Sequence, residues 1–66
     1  MQPSELRAIR ATLGLSQAKL ARLLGVATNT YCAWEQSRRA VPGLAVKILR
    51  MLRQDAGLVE RLRTGG

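Results

Sequence analysis

Histidine and phenylalanine are absent from this 66-residue sequence, and cysteine occurs once, as Cys32. One thiol cannot close an intramolecular disulfide, and without an imidazole it cannot build a structural zinc site. A chain this short buries only about 60% of its unfolded surface, so it must be compact and helical or gain stability by dimerising. The missing histidine also removes the usual general base at neutral pH. The four carboxylates, Glu5, Glu35, Asp55 and Glu60, include no pair placed for acid–base work, so an enzyme is not expected. No cofactor, metal or small-molecule ligand is expected either. No apolar run approaches the ~20 residues of a membrane span, and the opening MQPSELRAIR is too polar for a signal peptide. A lone cysteine and no leader point to the cytoplasm.

Acidic residues are scarce. Four stand against eleven Lys and Arg, for a net charge of +7. The excess amounts to +1 over residues 1–15, +3 over 16–42 and +3 over 43–66, so it is no basic tail on a neutral domain. A cationic surface of this kind suits a polyanion; charge alone fits nucleic acid, an anionic membrane or an acidic protein equally.

Strand signals are lacking too, since nothing alternates with period two. What is present is helical periodicity, which predicts an all-α chain: a single compact domain over residues 1–66, of about five short helices. The first is expected from Pro3 to Leu13, with Leu6, Ile9 and Leu13 inward and Gly14 as its stop. The second starts at the N-cap Ser16 and ends before Gly25, burying Leu20, Ala21 and Leu23 or Leu24. The third covers Thr28 to Gln36, with Tyr31 and Trp34 facing the core. The fourth runs from Pro42 to about Arg53, using Leu44 or Ala45, Ile48, Leu49 and Leu52. A last short helix, 56–63, follows Asp55 as N-cap and carries Leu58, Val59 and Leu62. Thr64 to Gly66 are expected to be disordered.

The second and third helices, hinged at Gly25 and followed by Arg38-Arg39, make the smallest unit that can hold one helix on a scaffold and present it to the major groove. Ser16-Gln17, Leu20-Ala21, Leu24-Gly25-Val26, Trp34-Glu35 and a basic loop ending in Pro42 together resemble the lambda/434 repressor-like (Cro/C1, XRE) helix-turn-helix family. The resemblance covers about residues 4–53, with the helix-turn-helix core at about 16–39.

The resemblance implies roles. Thr28, Asn29, Cys32 and Ala33 would face base edges from the third helix, Asn29 having the carboxamide suited to adenine. Gln17, Thr30, Tyr31, Arg38 and Arg39 would contact phosphates, which fix register without reading sequence, and Gln17 would also brace the third helix. Arg10 and Glu35 would form an ion pair bracing the third helix. The chain departs from the family pattern at three positions. Lys19 stands where an acidic residue is common, which removes half of a capping box. Ala27 stands where Ser or Thr usually caps the third helix, so Thr28 is expected to serve as cap. Tyr31 replaces a β-branched aliphatic, and its hydroxyl needs a polar partner, expected to be a phosphate.

Apolar surplus near the C-terminus, at Met51, Leu58, Val59 and Leu62, points to a two-fold contact between copies. The implied function is a homodimeric transcriptional regulator, a repressor of its own or another promoter, binding an inverted-repeat operator in double-stranded DNA. Such small regulators serve phages and other mobile elements. The alternative is an antitoxin-type protein whose main partner is a toxin, with DNA binding for autoregulation. Trp34 turned inward, and a chain punctuated by glycine and proline, argue against a membrane-active peptide.

Overall fold

Three helices end in the same way, and those stops set the architecture. In the computed structural model, which describes residues 1–55 and 57, α1 (Pro3–Leu13) opens on Pro3, whose missing N–H is no loss in a first turn. It stops at Gly14, whose φ of 68° lies in the left-handed region that a Cβ disfavours. The Gly14 and Leu15 N–H groups then donate to the carbonyls of Ala11 and Arg10, closing the helix end. α2 (Gln17–Leu24) begins at Ser16, whose hydroxyl accepts from the Lys19 N–H at 3.1 Å, and stops at Gly25 with φ 76°. Val26 N–H to Ala21 O, at 3.0 Å, repeats the closure seen after α1.

α3 (Thr28–Glu35) follows after only three residues. Its stop is the same again: Gln36 caps it, Ser37 takes φ 61°, and the Arg38 N–H donates to Ala33 O at 2.9 Å. Here a serine, not a glycine, holds the left-handed position. α4 (Gly43–Gln54) is the longest of the four, with Pro42 in extended backbone as its N-cap. The described residues thus form four helices and no strand. The sequence expectation of about five exceeds this by one. That last helix, at 56–63, lies outside the described residues apart from Gly57, whose N–H donates to Asp55 Oδ1 at 3.0 Å. The expected disorder of Thr64 to Gly66 also falls outside them.

One core joins the helices. Leu6 and Ile9 of α1, Leu15, Leu20 and Ala21 around α2, Tyr31 and Trp34 of α3, and Leu49 and Leu52 of α4 are all buried. Each fully buried Leu or Ile contributes about 1.5–3 kcal/mol. The two aromatic rings meet edge to face, centroids 5.9 Å apart, so α3 supplies the bulkiest part of the core. Of the two residues expected to start the α4 stripe, Ala45 is partly buried, whereas Leu44 is 72% exposed. Leu44 is one turn from Ile48, at the open edge of the stripe, and not at its centre.

Candidate nucleic-acid interface

Burying one side of α3 dictates what the other side shows. Tyr31, Trp34 and Glu35 face inward, leaving Thr28, Asn29 and Gln36 exposed and Thr30, Cys32 and Ala33 half-buried. Five of these outer residues, Thr28, Asn29, Cys32, Ala33 and Gln36, follow helical spacing, so they form one continuous face. The candidate base readers therefore lie together, and Gln36, a second carboxamide, extends their row by one turn.

The N-terminus of α3 is bare. Its N-cap is Ala27, which has no side chain to cap with, and Thr28 occupies the first helical position instead of capping. The first backbone bond of the helix is Tyr31 N–H to Ala27 O at 3.1 Å. The amides of Thr28, Asn29 and Thr30 precede it and point out of the helix end, where the dipole favours an anion. Thr28 does not cap the helix, contrary to the role expected of it.

The inner side of α3 is held by a polar cluster on Glu35, which is 4% exposed. Arg10 Nε donates to Glu35 Oε2 at 2.8 Å and Arg10 Nη2 to Oε1 at 3.4 Å. The Tyr31 hydroxyl donates to Oε2 at 2.6 Å, and Gln17 Nε2 to Oε1 at 3.0 Å. Arg7, not anticipated from the sequence, donates from Nη2 to the Glu35 main-chain carbonyl at 2.8 Å, satisfying an orphan acceptor of the last helical turn. α1, α2 and α3 thus converge on one carboxylate, and no buried side-chain polar atom lacks a partner among the described residues.

The electrostatics follow from this arrangement. Burial alone would push the Glu35 carboxyl up, but the hydrogen bonds from Arg10, Tyr31 and Gln17 outweigh it and hold the carboxyl below its ordinary value. Burial, then the bond to Glu35, pushes the Tyr31 phenol up. The bond to Glu35 also keeps the Arg10 guanidinium firmly charged.

One expectation changes here. Tyr31 is fully buried and its hydroxyl is spent on Glu35, so it is not available to a phosphate. The signal was in the sequence, since Tyr31 and Glu35 are four apart on one helix face. Gln17 bridges Glu35 and the Cys32 thiol, which donates to its Oε1 at 3.5 Å, so its side chain braces α3 as expected. Arg38 and Arg39 are exposed in the loop that leaves α3, held there by the turn at Ser37. Lys19 and Arg22 of α2 are exposed too. Met51 is 56% exposed, while Leu58, Val59 and Leu62 lie outside the described residues. Among the described residues no group of side chains could hold a metal ion, and no helix is long and apolar enough to cross a membrane.

The comparison with known families agrees with this geometry. No curated protein matches the chain. Residues 6–57, most of the sequence, match the model of a helix-turn-helix family, HTH_3. With α2 and α3 joined at Gly25, the outer face of α3 open and its inner face anchored, the chain belongs to the Cro/C1-type (XRE) helix-turn-helix family of DNA-binding regulators.

Proposed function

We propose that the chain acts as a dimeric transcriptional repressor, in the cytoplasm, on an inverted-repeat operator. Each copy lays α3 in a major groove, the two half-sites lying about 34 Å apart, and blocks a promoter by occupying it, that of its own operon included. The observation that carries the reading is a charge asymmetry. Over residues 16–42 the single carboxylate, Glu35, is buried and ion-paired, while Lys19, Arg22, Arg38 and Arg39 are exposed. The segment therefore presents cations to solvent and no anion, beside a helix N-terminus with free amides.

In this reading Thr28, Asn29, Cys32 and Ala33 meet base edges. Arg38, Arg39, Thr30 and the main chain at Gln17 take phosphates, and Arg10 with Glu35 keeps α3 at its angle. Contact between copies involves the C-terminal part of the chain, including Met51, Leu58, Val59 and Leu62. The test is a fluorescence-anisotropy titration against the chain's own promoter and against a mixed-sequence duplex. The promoter is expected to bind at least about 10³-fold more tightly at physiological salt. Equal affinity for both would reduce the protein to a non-specific DNA binder, and no binding to either would remove the function.

A further inference from the structure

We propose that an acidic segment of another protein docks on the N-terminal half of α4, one large apolar side chain entering the groove beside Leu44 while its carboxylates meet Lys47 and Arg50. This contact goes beyond the DNA reading and does not depend on it.

Leu44 is 72% exposed. A lone exposed leucine is ordinary, but this one stands at the rim of an apolar groove of about 200 Å³, walled by Leu24, Val26, Trp34, Pro42 and Ile48. A cavity of about 150 Å³ accepts a benzene ring, so the groove has room for one aromatic or long aliphatic side chain. Trp34 belongs to the core, and Leu24, Val26 and Ile48 pack against it, so the groove exists before anything enters it. Trp34 is also on the inner side of α3, away from Thr28, Asn29 and Ala33. A partner seated there leaves the face turned to DNA uncovered. Met51 lies two turns beyond Leu44 and stays available to the contact between copies.

Charge selects the occupant. Residues 36–54 hold five Lys and Arg and no carboxylate. Arg53 lies 3.9 Å from Glu5, whereas Lys47 and Arg50 are exposed and have no ion-pair partner among the described residues. Lys47 is three residues from Leu44 and next to Ile48, which puts its ammonium at the rim, with Arg50 three residues further on. A basic segment would be repelled there, and a neutral one would leave the cations unmatched. An acidic one satisfies the groove and the rim together. One groove and one stretch of helix are small against the ~1,200 Å² of a stable specific interface. The contact is therefore a transient one, held by a single anchor and sensitive to salt.

The probe is a synthetic helical peptide without tryptophan, its leucines at i, i+3, i+4 and i+7 flanked by glutamates. One control replaces the glutamates by lysines; the other scrambles the same residues so that no apolar stripe remains. Anisotropy of the labelled peptides against the full chain measures affinity. Emission from Trp34, the only tryptophan and a wall of the groove, reports where the peptide sits. The glutamate peptide is expected to shift that emission and to bind at least about tenfold more tightly than either control. Leu44→Ser is expected to weaken it by about tenfold, and Lys47→Glu by about fivefold or more. Both side chains are exposed, and circular dichroism checks that the variants fold. Raising sodium chloride from about 0.1 M to about 1 M shortens the screening length from ~10 to ~3 Å and is expected to weaken binding by about fivefold or more. No binding by any peptide would overturn the proposal. So would a lysine or scrambled peptide that binds as tightly, an affinity untouched by Leu44→Ser, or one indifferent to salt.

Discussion

The Tyr31 hydroxyl lies 2.6 Å from Glu35 Oε2, one turn along the same helix and out of reach of solvent. A hydrogen bond to a buried charge is worth about 1.5–3 kcal/mol, against a total of roughly 3–5 kcal/mol for a core of this size. Tyr31→Phe keeps the ring and its packing against Trp34 and deletes only that bond. Urea denaturation is expected to register a loss in the stated range. A loss below about 0.5 kcal/mol would mean that Arg10 and Gln17 satisfy the carboxylate without it.

Stability should respond to pH at both ends, with opposite signs. The Glu35 carboxyl is held below its ordinary value of 4.5, so its contribution is present above that pH and is lost as pH falls through the folded value. The Tyr31 phenol is pushed above its ordinary value of 10.0, so its contribution is present below that pH and is lost as pH rises through the folded value. Melting temperature against pH is expected to be flat between these limits. Glu35→Gln should start lower and show a shallower acid limb. Tyr31 is the only tyrosine, so tyrosinate absorbance reports it directly and should stay low until the fold opens. An ordinary phenol titration in folded protein would contradict the buried geometry.

Base readers and phosphate holders separate by their signatures on DNA. Asn29→Ala is expected to cost about 1–3 kcal/mol on the cognate operator and little on mixed-sequence DNA. Arg38→Ala or Arg39→Ala should weaken both and flatten the log-affinity against log-salt slope by about 0.9 for each phosphate no longer neutralised. Anisotropy at several salt concentrations distinguishes them. An equal loss on both DNAs for Asn29→Ala would remove it from the reading face.

Ser37 carries a backbone conformation that Gly14 and Gly25 adopt without strain. Ser37→Gly is expected to raise stability by about 0.5–1 kcal/mol, the left-handed penalty less the extra freedom that glycine gives the unfolded chain. Gly25→Ala should lower it by about 1 kcal/mol. Nothing lies within 4 Å of an added Cβ there, so the cost is backbone strain alone. Thermal melts of the two variants should move in opposite directions.

The parts of the fold legible in the sequence are those written in local pattern. Ser16, Gly14, Gly25 and the apolar spacing of α1, α2 and α3 suffice to place the helices to within a residue or so. Arg10 and Glu35 come from family resemblance and are joined at 2.8 Å. What stays hidden depends on three dimensions. Arg7 reaches the end of α3 across 28 residues of sequence, and no local pattern announces it. Leu44 is interchangeable with Ala45 on a helical wheel until the neighbours of α4 are in place. Ser37 reads as an ordinary loop residue, because nothing in its own chemistry marks the left-handed turn that the closure from Arg38 to Ala33 requires. Tyr31 misleads for a related reason: its hydroxyl needs a partner, and the partner is a carboxylate one turn away instead of a phosphate on the ligand.

The cluster on Glu35 has a consequence for how α3 is oriented. Apolar packing resists separation but barely resists sliding or rotation, since dispersion and burial have no preferred direction. Hydrogen bonds do have one, and they weaken steeply when bent. With Arg10 on both oxygens of one carboxylate and Gln17, from a different helix, on one of them, a turn of α3 about its own axis must stretch one grip or the other. The greasy contacts keep the helix attached, and the carboxylate sets its azimuth. Substitutions in the cluster should therefore blur which bases are read before they abolish contact with DNA.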